Sequence, residues 1–176
     1  PKTIRPLKIR FFWHFPQAKF TYGGTKSPSR TQYALAKHPS LLYSKGMKPL
    51  NKLGEHKMED GSVWELWERD NELSLQLDGM PCASSFTHGS EESMAEIATS
   101  PITRASQPQI LIAGLGLGYG LAKAMECLPR EKAKFIVAEP IPAIIEWNRT
   151  YGENRALWED RRVSAEAAPA AELCRK

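Results

Sequence analysis

The residue types and spacing that most directly suggest chemistry lie in Gln109-Ile-Leu-Ile-Ala-Gly-Leu-Gly-Leu-Gly-Tyr-Gly-Leu121 and Phe135-Ile-Val-Ala-Glu139. Gly114, Gly116 and Gly118 fall at alternate positions, immediately after the apolar run Ile110 to Ala113. Glycine at a strand-to-helix turn lets the backbone approach a ligand, because any Cβ would hold that ligand away, and it permits φ > 0. Glu139 follows the last glycine at the roughly 20-residue spacing by which a second strand brings a carboxylate to ribose hydroxyls. Strand, glycines, helix, strand and acid in that order make a candidate nucleoside site. The same residues would also serve a glycine-rich turn that only packs a helix onto a sheet.

The glycine spacing separates ligand classes. A dinucleotide fingerprint begun at Gly114 needs its third glycine where Tyr119 stands, and one begun at Gly116 needs it where Leu121 stands. A pyrophosphate-binding turn, and with it NAD, is therefore not expected. The alternate glycines resemble instead the first motif of the S-adenosylmethionine-dependent methyltransferase fold, which also carries the aminopropyltransferases.

The elements that must position these residues follow from periodicity. Ile110 to Ala113 and Phe135 to Ala138 read as buried parallel strands, and Leu121 to Leu128 as a helix. Pro140 to Arg149 reads as a second helix, with proline tolerated in its first turn and Ile141, Ile144, Ile145 and Trp147 facing inward. Arg161-Arg162-Val163 opens a third strand, followed by an Ala-rich run from Ala165 to Ala171. Upstream, Val63 to Glu68 and Leu73 to Leu77 alternate as strands about a turn at Asp70-Asn71, and Asp78-Gly79 marks the next bend. Trp64 and Trp67 are expected as packing residues.

A further helix is expected before Pro101, with Ser90 as its N-cap, Glu91 and Glu92 in its first turn, and Met94, Ile97 and Ala98 as its apolar stripe. His88 is read either as a ligand-binding group or as a polar residue leading into that helix. Glu92, with Glu91, is read either as a helix start or as a contact for a cationic substrate.

Charge is unevenly distributed. The 176 residues carry a formal net charge of +4, yet residues 1–46 contain nine Lys and Arg and no Asp or Glu, leaving an acidic remainder. Nucleic acid is therefore not an expected partner except through the basic extension. That extension reads as mostly irregular chain. It is a basic arm, a targeting peptide, or sequence upstream of a natural start at Met47. Cys82, Cys127 and Cys174 are odd in number and widely spaced, which argues for reduced thiols in a cytoplasmic protein. His14, His38, His56 and His88 show no metal-ligand spacing, so no metal is expected. No apolar run approaches the roughly 20 residues that span a bilayer.

From about Met47 to about Val163 the sequence resembles the spermidine synthase-like (polyamine aminopropyltransferase-like) family. The resemblance rests on the β region ending Leu77-Asp78-Gly79, the Ser90-Glu91-Glu92 helix ahead of Pro101, and Ile112-Ala-Gly-Leu-Gly-Leu-Gly118 followed by Val137-Ala-Glu139. It implies that Gly114, Gly116 and Gly118 line the nucleoside and methionine part of S-adenosylmethionine or its decarboxylated form, and that Glu139 holds the ribose. It also implies an amine acceptor; a homodimer is the other candidate partnership, with the oligomeric state left open by the sequence. Two departures follow from the same resemblance. The Tyr-His pair that contacts the diamine is replaced in that region by Met94-Ala95. The catalytic aspartate after a fourth strand has no counterpart, so the chain resembles a truncated member and no catalytic residue is named. After the third strand only Glu166 matches the family's adenine-side acid, faintly.

The expected architecture is α/β: a small N-terminal β-hairpin region followed by an incomplete Rossmann-like domain of class I methyltransferase type. Its divisions are a basic extension at 1–46, a small β region plus helix at 47–104, and the first part of the nucleoside-binding domain at 105–176. The expected activity is aminopropyl transfer, with methyl transfer on the same fold, or non-catalytic nucleoside binding, as alternatives.

Overall fold

Two-residue turns organise the first half of the chain. Asp70 and Asn71, at φ 54° and 67°, join strands Val63–Arg69 and Glu72–Leu77, and Asp78 and Gly79, at φ 51° and 77°, join the latter to Met80–Ser84. Paired positive φ values match the right-handed twist of hairpin strands, and Asn, Asp and Gly tolerate them best. The computed structural model describes residues 8–12 and 48–175. The readings of the remainder of 1–46 and of Met47 lie outside the described residues.

Strands β2 (Asn51–Lys57), β3 (Val63–Arg69), β4 (Glu72–Leu77) and β5 (Met80–Ser84) form an antiparallel sheet in that order. Leu66 and Leu75 are directly paired across β3 and β4 and are each 1% exposed. Burial of this kind stabilises by about 1.5–3 kcal/mol per side chain. Trp64 is buried beside them, and the ammonium of Lys52 lies over the Trp67 ring, so both tryptophans are packing residues. The second sheet is parallel and consists of β1 (Lys8–Phe12), β6 (Gln109–Ala113), β7 (Lys134–Ala138) and β8 (Val163–Glu166), also in that order. Helices α1 (Gly89–Thr99), α2 (Tyr119–Cys127), α3 (Pro142–Thr150) and the short α4 (Ala170–Leu173) connect and follow them. The fold is thus α/β, an antiparallel hairpin sheet with a partial Rossmann-like parallel sheet.

One hydrophobic core joins the two parts. Ile110, Phe135 and Val137 of the parallel strands belong to the same buried cluster as Leu66 and Leu75. Gly54 permits part of this contact. It lies at an irregularity between β2 and β3, and a Cβ there would overlap the Trp147 indole of α3.

Four expectations are corrected. Helix α1 begins at Gly89 with His88 as its N-cap, so Ser90 lies inside the first turn, where its hydroxyl donates to Glu91 Oε2. The fully buried residues of α1 are Ala95 and Thr99, with Met94 and Ala98 of the expected stripe partly buried against the core, while Ile97 is 74% exposed. Pro101 does not end the helix directly, because it sits within a 3₁₀ turn, Ser100–Ile102. Strand β1 lies inside the stretch read as mostly irregular, paired in parallel with β6 from Lys8 opposite Gln109 to Phe12 opposite Ala113.

Candidate functional site

All three alternate glycines adopt left-handed backbone, with φ 85° at Gly114, 56° at Gly116 and 83° at Gly118. The turn leaves the carboxyl end of β6 and feeds straight into α2 at Tyr119. A side chain at any of these positions would be strained whatever space surrounded it.

Glu139 grips the turn from the end of the neighbouring strand. It is 4% exposed; Leu115 N–H donates to its Oε2 at 2.9 Å and Ile141 N–H to its Oε1 at 3.0 Å. Each carboxylate oxygen keeps a lone pair for a further donor, as two ribose hydroxyls would supply. Burial pushes the Glu139 carboxyl above its ordinary value near 4.5, and the two backbone N–H groups partly oppose that shift. A folded-state value above the unfolded one means that the folded protein holds the proton more tightly. The stabilising contribution is full below about pH 4.5 and is lost as pH rises through the folded value. Urea unfolding across pH should show the wild type losing stability relative to Glu139→Gln as pH rises above that point. A constant difference would contradict the assignment.

Asn148, 4% exposed on α3, holds the turn from the other side. Its Nδ2 donates to Gly116 O at 2.8 Å and to Ile144 O at 2.9 Å, and its Oδ1 would lie 3.0 Å from a Cβ built at Gly118. Sequence reasoning missed this residue. The available signal was a polar side chain sharing the helical face of Ile141, Ile144 and Ile145.

His88 and Glu92 are brought together, and both are linked to the glycine turn. The imidazole stacks on the Tyr119 ring, with centroids 3.8 Å apart and planes inclined by 6°. Its Nδ1 lies 3.0 Å from Glu92 Oε1, close enough for an ion pair when protonated but not aligned as a hydrogen bond. Tyr119, 8% exposed, donates its hydroxyl to Glu153 Oε2 at 2.7 Å. Glu166 ends β8 in the edge position of the parallel sheet, its backbone C=O accepting from Glu139 N–H. A separate open groove of about 440 Å³, with Pro142, Ile145 and Arg149 of α3 facing Ala165 and Ala167, includes none of the glycine-turn residues.

Among the described residues no group of His, Cys, Asp and Glu is arranged to hold a metal ion, and no helix is long and apolar enough to cross a membrane.

Comparison with solved structures matches the fold to known ones. A spermidine synthase solved in complex with the transition state analogue AdoDATO superposes with a TM-score of 0.56 over 70% of this chain, at 21% identity. The chain has the fold of part of a spermidine synthase. Spermidine synthase from Thermotoga maritima superposes with a TM-score of 0.54, also over 70% of this chain and at 21% identity. The chain spans 43% and 42% of the lengths of these two spermidine synthases. No protein-family profile matches the sequence, and no curated protein matches it by sequence comparison.

Proposed function

We propose that the chain binds an adenosine-type nucleoside carrying a sulfur-linked chain at its 5′ carbon, as S-adenosylmethionine and its decarboxylated form do, and serves an alkyl transfer of the aminopropyl type. The observation that carries this reading is the Leu115 N–H bond to Glu139, which fixes a three-glycine, positive-φ turn beside a buried carboxylate. In this reading Glu139 accepts the ribose hydroxyls, and Gly114, Gly116 and Gly118 admit the rest of the ligand to the backbone. Ribose donors favour the ionised carboxylate, so nucleoside affinity rises with pH across the titration of Glu139. The spermidine synthase scaffold and its AdoDATO complex favour aminopropyl over methyl transfer.

The chemistry asks little covalent work of the protein. An amine nitrogen attacks the carbon attached to the sulfonium, the C–N bond forms as the C–S bond breaks, and the neutral thioether leaves with the nucleoside. The protein's task is to align the reactants and to receive the amine proton. Isothermal titration with S-adenosylmethionine, methylthioadenosine and NAD tests the reading. Binding of one or both sulfur nucleosides without NAD is expected. NAD binding without either would overturn it.

A further inference from the structure

Tyr119 is the first residue of α2, directly after Gly118, and two distant stretches of chain end on its side chain. The approach to α1 contributes His88, stacked face to face on the ring. The turn after α3 contributes Glu153, which accepts the hydroxyl bond. Both stretches also line the glycine turn: a Cβ at Gly116 would lie 3.9 Å from the Ala83 Cβ, and one at Gly118 would lie 3.7 Å from the Asn154 Cβ. Asn154 Nδ2, near the same Gly118 position, is shut from solvent without a hydrogen-bond acceptor.

We propose that Tyr119 is a positioning residue that fixes the two stretches flanking the Gly118 end of the glycine turn as walls and so selects nucleosides with an extended 5′ substituent. The proposal rests on the nucleoside reading above. A ribose held by Glu139 lies at the Leu115 end of the turn. Its 5′ substituent then runs past Gly116 towards Gly118, between the walls that Tyr119 ties together. Plain adenosine stops short of that end and does not use them. The phenol suits the task because it stacks on His88 and donates to Glu153 at once, and burial and then the Glu153 carboxylate push its pKa upward. A leucine would fill the volume but neither stack nor donate.

Tyr119→Phe keeps the ring and removes the bond to Glu153. Glu153→Ala removes the same bond from an exposed position, where truncation has little effect on folding. Calorimetric titration of each variant with adenosine and methylthioadenosine should show methylthioadenosine affinity reduced roughly tenfold and adenosine affinity within about twofold of wild type. A merely structural role would weaken both ligands equally. Equal losses, or none, in both variants would overturn the proposal while leaving the nucleoside reading intact. A wild-type protein that binds neither ligand would overturn both.

Discussion

Glu139→Ala should lower adenosine and methylthioadenosine affinity by roughly 10- to 100-fold, the effect of losing hydrogen bonds to a charged acceptor. His88→Ala should cost only a small fraction of that for adenosine, since His88 meets the glycine turn through its stack on Tyr119 rather than through a bond to the turn itself. The asymmetry follows from connectivity. Glu139 bonds the turn itself at Leu115 and the start of α3 at Ile141, so its removal takes away the proposed ribose acceptor and also loosens the turn. Asn148 still holds Gly116 O in the variant, so the fold should survive and the loss should appear in binding rather than in circular dichroism. Equal losses for the two variants in parallel calorimetric titrations would mean that the ribose carboxylate has been misplaced.

Gly118→Ala should be more damaging than Gly116→Ala. Gly118 sits at φ 83°, where an L residue is strained by about 1–3 kcal/mol. The added Cβ would also press to 3.0 Å from Asn148 Oδ1, whose amide is committed to two carbonyls and has little freedom to retreat. Gly116→Ala meets comparable backbone strain, but its nearest neighbour is the Ala83 Cβ at an ordinary 3.9 Å. Thermal unfolding should therefore rank the proteins wild type, then Gly116→Ala, then Gly118→Ala, with nucleoside binding abolished in the last. A Gly118→Ala protein as stable as Gly116→Ala would show that Asn148 does not clamp the turn.

Local pattern made much of this legible from sequence. The run Ile110 to Ala113 read as a buried strand, three alternate glycines pointed to positive φ, and Asp70-Asn71 between alternating strands suggested its hairpin. What stayed hidden depends on partners distant in sequence. Asn51–Lys57 has no alternation of its own and becomes a strand through pairing with Val63–Arg69. Lys8–Phe12 finds its place only beside Gln109–Ala113. Ser90 has the better N-cap chemistry, yet His88, stacked on Tyr119, stands at the cap. Asn148 and Glu153 act on a carbonyl and a hydroxyl whose directions exist only once the sheet and α3 are assembled.

The most direct test of a nucleoside site at this turn is a two-dimensional ¹⁵N–¹H titration of the protein with methylthioadenosine. The Leu115 and Ile141 amides, both bonded to Glu139, and the Gly114, Gly116 and Gly118 amides should shift together and saturate with one dissociation constant. Shifts confined to residues of the groove between α3 and β8, such as Ile145, Arg149 and Ala165, would contradict the account, as would the absence of any saturable shift.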